Sequence, residues 1–273
     1  MSIKSILCAY SGDPNQGSGL RHAIRLAKRH GASLTAVAKT GGLGFLHRQY
    51  SAQLPQNILD QLDANGRQVL SGIAARFGEV TKDAGLSEQT EFVELDPKVD
   101  GPIASFARAF DLIVIGHHMG APYEDDYGAH PDLIALRSGR PVLVVPQGYE
   151  GPDATKAKAL VAWDGKRAAT RALVAAMPIL EDGADVTLMT VGQTPHNTAQ
   201  LVKTVARHGL NVNAVSVAQS GSTAATILDQ AERQSVDLVV MGAFEHSKFS
   251  HDLIGGVTTQ VLEQAKVPIL MAH

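Results

Sequence analysis

KSILCAYSGD at residues 4–13 and AKALVAWDGK at residues 157–166 decide the fold. Each opens on a short continuous apolar run, ILCAY or ALVAW, and closes on a polar turn containing glycine. Runs of this length without alternation suit strands buried on both faces of a parallel sheet. Three more segments recur in the same order. GASLTAV at 31–37 returns as GADVTLM at 183–189, and DLIVIG at 111–116 returns as DLVVMG at 237–242. PVLVVP at 141–146 returns in VPILMAH at 267–273, with Pro141 meeting Pro268. Four segments in one order are the mark of a duplicated unit.

Between the strands the apolar residues fall at helical spacing. Ala169, Leu173, Met177 and Leu180 share one face, as do Val257, Val261 and Ala265. Pro178 should bend or end the first of these helices, because it frees the carbonyl of Val174. Strand and helix alternate five times per half, which predicts two doubly wound α/β domains, each on a five-stranded parallel sheet. Pro146, Gly148, Gly151 and Pro152 mark the linker, so the domains are read as 1–150 and 151–273. The first half is longer, by an insertion within Gly41 to Val80, centred on 43–80. A helix is expected there from Pro55 to Phe77, with Ile58, Leu62, Val69, Leu70 and Ile73 as its apolar side. It would be an added helix over one domain, or a regulatory lid.

Composition narrows the function. The net charge of −3 and the scattered Lys and Arg residues give no electrostatic footprint for nucleic acid or an anionic membrane. No run approaches the ~18 apolar residues of a membrane span. The single cysteine, Cys8, excludes an intramolecular disulfide and a Cys-rich zinc cluster. Together these lead us to expect a reducing, cytoplasmic setting. The loop histidines His117, His118, His130, His246 and His251 lack the spacing of HExxH, so no metal site is expected. There is no G-x-S-x-G nucleophile turn, and no catalytic residue is assigned.

Open sheets of this class bind ligands outside the carboxyl ends of the strands, where the strand order reverses. If the first strand of a half neighbours the fourth, the crevice of the second half opens between Asp164 and Gly242. Asp164 would project from the sheet edge and accept hydrogen bonds from a sugar or a base. Gly255 and Gly256 precede a helix whose first N–H groups are unpaired, which suits a phosphate.

The half-chain pattern, a strand ending in Asp-Gly and a last strand reading Val-Pro-Ile, resembles the universal stress protein family, twice over. The resemblance implies an adenine nucleotide α-hydrolase-like fold whose two halves pair as an internal pseudo-dimer through their terminal strands, 141–146 and 267–272. It also implies ATP or AMP binding through a motif of Gly, two residues, Gly, nine residues, Gly, then Ser, Thr or Gly. Here the second half reads Gly242, two residues, Glu245, nine residues, Gly255, Gly256. On that resemblance Ala162, Asp164 and the main chain near Val191 would meet ribose and base. Gly242, Gly255, Gly256 and Val257 would line the phosphates, with His246 as a donor. Glu245 departs from the motif, and its repulsion of a polyphosphate is worth about 1–4 kcal/mol at an effective dielectric near 20, unless Lys166 or Lys248 pairs with it.

The first half departs further. Ser11 stands where Asp164 does, and Glu124, Asp125, Asp126 and Asp132 crowd the loop where phosphates would lie. That half is expected to be degenerate for nucleotide. The favoured function is a stress-response or signalling protein that binds ATP or AMP in its second half without rapid turnover, and that forms a homodimer of whole chains. The alternatives are a nucleotide-independent scaffold, or a binder or enzyme for another small metabolite in the same crevice.

Overall fold

The computed structural model describes residues 2–12, 17–39, 55–96, 101–117, 130–151, 157–180, 183–243 and 256–273. In the first half the strands are β1 (Ser5–Ala9), β2 (Ser33–Lys39), β3 (Thr90–Leu95), β4 (Leu112–His117) and β5 (Val142–Pro146). Its helices are α1 (Gly17–His30), α2 (Gln56–Asp83), α3 (Ile103–Phe106) and α4 (Pro131–Ser138). The second half supplies β6 (Lys158–Ala162), β7 (Asp185–Val191), β8 (Asn211–Val217), β9 (Leu238–Gly242) and β10 (Ile269–Ala272). Its helices are α5 (Arg167–Ala176), α6 (Thr198–Ala206), α7 (Thr223–Arg233) and α8 (Gly256–Gln264).

All ten strands form one sheet in the order β3-β2-β1-β4-β5-β10-β9-β6-β7-β8. Each half is parallel throughout and runs 3-2-1-4-5, so each has its own switch point, at β1/β4 and at β6/β9. The halves meet where β10 pairs antiparallel with β5, Leu270 opposite Leu143. The terminal strands therefore satisfy one another, and the outer edges of the sheet are β3 and β8. Two apolar cores follow, one on each face. One holds residues of α1, α2, α5 and α6, the other residues of α3, α4, α7 and α8, so each core runs through both halves.

The duplication reaches single hydrogen bonds. Ile113 N donates to the Pro141 carbonyl at 3.0 Å, and Val239 N donates to the Pro268 carbonyl at 3.0 Å. Asp111 Oδ2 accepts from Lys4 N at 2.9 Å, and Asp237 Oδ2 accepts from Lys158 N at 2.8 Å. The first carboxylate also takes Ser5 N and Ser5 Oγ, and these three bonds lower its pKa against the opposing effect of burial. The close approach of helix to strand is repeated as well. A Cβ on Gly19 of α1 would lie 2.4 Å from Gly116 N, and one on Gly242 of β9 would lie 2.7 Å from Ala169 N of α5.

One expectation needs correction, and another resolves between the two outcomes it allowed. The insertion adds no new element: α2 is the β2–β3 crossover helix, 28 residues long where α6 has 9 in the same place. Its buried side chains are Leu59, Leu70, Ile73, Phe77 and Thr81, while Ile58 and Val69 stay 36% and 46% exposed. The buried stripe steps by three and four from Gly66 to Thr81, and Ile58 and Val69 fall on its flank. α5 ends at Ala176, two residues before Pro178, so the proline ends this helix and does not bend it.

Side chains cross the seam beside β5 and β10. Arg29 of α1 donates to the Ile179 carbonyl beyond α5, while Arg25 donates within the first half to the Glu150 carbonyl. Tyr149 Oη donates to the Asp237 carbonyl at 3.1 Å. The Tyr149 ring lies 6.0 Å from the ring of His22, whose Nδ1 accepts from Arg25 at 2.8 Å.

Candidate functional site

β6 delivers its last residues to a turn held from both sides. Trp163 N donates to the Met189 carbonyl at 2.8 Å, and Thr190 Oγ1 donates to the Trp163 carbonyl at 2.9 Å. The indole, the only one in the chain, donates through Nε1 to Thr198 Oγ1 at 3.1 Å. The backbone then reverses at Gly165, whose φ of +79° favours glycine, and a Cβ there would meet Pro195 Cβ at 2.8 Å. Between these fixed points stands Asp164. One carboxylate oxygen accepts from Lys166 N at 3.0 Å; the other lies 3.8 Å from Lys166 Nζ. The Asp164 side chain stays 49% exposed, so this pairing is weak and leaves the carboxylate accessible.

A cavity of about 820 Å³ opens beside this turn, within the range of small-molecule sites. Ala162, Asp164, Val191, Gly242, Gly256 and Val257, all singled out from sequence, line it together. His246 and Gly255 lie outside the described residues, as do Glu245 and Lys248. Gly242 and Gly256 are glycine for different reasons. The first is required by α5, whose backbone at Ala169 leaves no room for a side chain. A Cβ on Gly256 would meet nothing within 4 Å, so at the amino end of α8 the space beside the chain is open.

Sequence reasoning missed the floor and the far wall. Met189, Ile227 and Met241 give an apolar floor. The far wall is polar, built by Ser222 and Thr223 at the start of α7 and by Thr258 and Gln260 of α8. Ser222 was legible in principle, since a serine directly before the helical stretch TAATILDQA marks an N-cap, and its Oγ accepts from Ala225 N at 3.0 Å. Asp164 and Lys166 are the titratable side chains among the described lining residues.

The first half has another arrangement at the equivalent turn. Ser11 is buried, and Gly12, with φ +77°, is covered by α2: a Cβ there would lie 2.6 Å from Ile73 Cγ1. The Arg76 guanidinium donates to the Gly12 carbonyl. A groove of about 540 Å³ remains between this turn and the exposed Asn65 and Gln68 of α2. Of the expected acidic crowd, Glu124, Asp125 and Asp126 lie outside the described residues, and so does the Asp132 side chain. No group of three or more His, Cys, Asp or Glu that could hold a metal occurs among the described residues. No helix there is long and apolar enough to cross a membrane.

Residues 2–146 and 196–273 match the sequence pattern of the Universal stress protein family. The chain belongs to that family. The matched segments leave out 147–195, which holds β6, α5 and β7, and there the sheet order carries the equivalence: β6 pairs with β9 as β1 pairs with β4. A universal stress protein of Synechocystis sp. is 30% identical over 173 residues, 59% of this chain and 57% of that protein. The chain thus matches little more than half the length of that relative. Among solved structures, a universal stress protein from Archaeoglobus fulgidus covers 99% of this chain, and 96% of its own, at 17% identity with a TM-score of 0.67. A putative universal stress protein from Pseudomonas aeruginosa covers 98% of this chain and 92% of its own at 14% identity, TM-score 0.51. At such identities the likeness is one of fold.

Proposed function

We propose that the chain is a stress-response or signalling universal stress protein that binds an adenine nucleotide, ATP or AMP, in the crevice of its second half. The observation that carries this reading is the cavity between β6 and β9, with an apolar floor, a half-exposed Asp164 at its mouth and the bare start of α8 opposite. A purine fits against Met189, Ile227 and Met241, and Asp164 accepts from ribose hydroxyls. The unpaired N–H groups of α8 take phosphate oxygens. Turnover is slow or absent in this reading, because among the described lining residues the titratable groups, Asp164 and Lys166, face each other at 3.8 Å and neither is placed as a base for an attacking water. Nucleotide occupancy then biases conformation or partner choice.

Calorimetric titration with ATP and AMP, paired with Trp163 fluorescence, tests this. Asp164→Ala should weaken binding by roughly three- to thirtyfold, the loss of a hydrogen bond to a charged group. Glu245→Gly should tighten it, most for ATP. Unchanged affinity in both variants would move the site elsewhere.

The proposal also includes a cytoplasmic homodimer of whole chains. Since β5 and β10 cover one another, such a dimer would use a surface other than the terminal strands. Light scattering at micromolar concentration should give twice the chain mass; the mass of one chain would remove the dimer from the reading.

A further inference from the structure

The far wall of the cavity is one connected unit. Ser222 Oγ accepts from Ala225 N at 3.0 Å as the N-cap of α7, and donates to Gln260 Oε1 of α8 at 2.8 Å. The capping turn is itself locked, since Thr226 Oγ1 accepts from Ser220 N at 2.9 Å and donates to the Ser222 carbonyl at 3.0 Å. Ser222 is thus a fixed post, and Gln260 ties the second turn of α8 to it. The two helices bring their amino ends to one cavity, with Ile227 of α7 in its apolar floor and open space beside Gly256 of α8.

The first turn of α8 has polar capacity to spare. Thr258 is only 4% exposed and lines the cavity, and its hydroxyl takes no hydrogen bond among the described residues. A nearly buried hydroxyl that faces a cavity and has no protein partner is open to a hydrogen bond from a ligand or water there. Its place in the first turn of the helix, where N–H groups have no intrahelical acceptor, favours an anionic oxygen.

We infer that Gln260 is a positioning residue: through its bond to Ser222 it fixes the first turn of α8 relative to the apolar floor of the cavity, so that a phosphate attached to a nucleoside seated on that floor meets α8. The inference rests on the nucleotide reading above and adds a selection to it. A ligand that ends at ribose uses the floor and Asp164 and does not depend on the tether. A ligand carrying phosphate uses α8 and does. Recognition of a fixed anion needs its donors held to within about 0.5 Å, and one side-chain hydrogen bond between helices meets that need.

The test compares AMP with adenosine by titration on the native chain, on Gln260→Ala and on Ser222→Thr, with thermal melts confirming that each variant is folded. Gln260→Ala should lose roughly three- to tenfold in affinity for AMP, the contribution of one hydrogen bond. Its affinity for adenosine should stay within about twofold, well below the factor that one hydrogen bond contributes. Ser222→Thr, which keeps the hydroxyl, should retain the native preference. An equal loss for both ligands, or no loss for either, overturns the inference while leaving the nucleotide reading in place. A native chain that binds neither ligand overturns the nucleotide reading and the inference with it.

Discussion

The turn at Ser11–Gly12 and the turn at Asp164–Gly165 are the same backbone put to two uses. Both follow the central strand of a half, both reverse at a glycine with φ of +77° or +79°, and both are covered by the crossover that leads to the edge strand. The cover differs. In the second half it is Pro195, in a short connection that presses on Gly165 and leaves Asp164 half exposed. In the first half it is Ile73, from a 28-residue helix that also places Arg76 on the Gly12 carbonyl. Duplication preserved what the sheet needs, the glycine and the strand order. What differs is the side chain at the turn and the length of the segment above it, and these decide access to the crevice. Fold and ligand site are separate properties here, set by different residues a few ångströms apart.

The sharpest way to break the comparison is to attack a contact the halves share. Gly19→Ala and Gly242→Ala each place a methyl against backbone: 2.4 Å from Gly116 N in one, 2.7 Å from Ala169 N in the other. Backbone cannot swing aside as a side chain can, so helix and strand must part. Each variant should lose about 1–3 kcal/mol by urea denaturation, with the larger loss at Gly19, where the approach is closer. Free tolerance of alanine at one site alone would show that the halves are not packed alike.

These two glycines also show where the sequence stops being legible. The strands and the duplication followed from apolar runs such as ILCAY and DLVVMG, because burial on both faces of a sheet dictates composition along a continuous stretch, while the strand order entered only as a condition, the first strand beside the fourth. Asp164 was legible for a similar reason, as the first polar residue after such a run. Gly242 was read as a strand exit and a phosphate contact, yet what fixes it as glycine is the backbone of α5, over 70 residues earlier. Ser222 and Gln260 bond across 38 residues. Nothing local in either residue announces the other; the pair exists because α7 and α8 pack side by side on one face. The α2 stripe held at Leu70 and Ile73 and missed at Ile58 and Val69 for a subtler reason. A long helix has several apolar rows, and which row faces the sheet is set by the turn it covers, where Ile73 meets Gly12.

The smallest expected effect lies at the seam, and it concerns a residue without a twin. Three positions after the Gly19 contact, α1 carries His22; three positions after the matching Ala169 contact, α5 carries the buried Ala172. Burial first, then the nearby Arg25 and Arg29 guanidinium groups, push the His22 imidazole down to about 4. Its Nδ1 accepts from Arg25 and its ring packs against Tyr149, so the neutral form is the one the seam is built around. In the unfolded chain the same imidazole titrates near its ordinary value of about 6.5. Between those two values the unfolded chain binds the proton and the folded chain does not. Stability is therefore full above about pH 6.5 and falls as the pH drops toward 4. His22 is partly exposed, and solvent screening cuts the loss to about 1 kcal/mol. His30, lowered by burial, Arg29 and Lys4, acts in the same direction, so the native chain alone does not isolate His22. Melting curves at pH 7 and pH 5 on the native chain and on His22→Gln separate the two. The glutamine variant should show the smaller drop, and equal drops would mean that the seam does not depend on a neutral histidine.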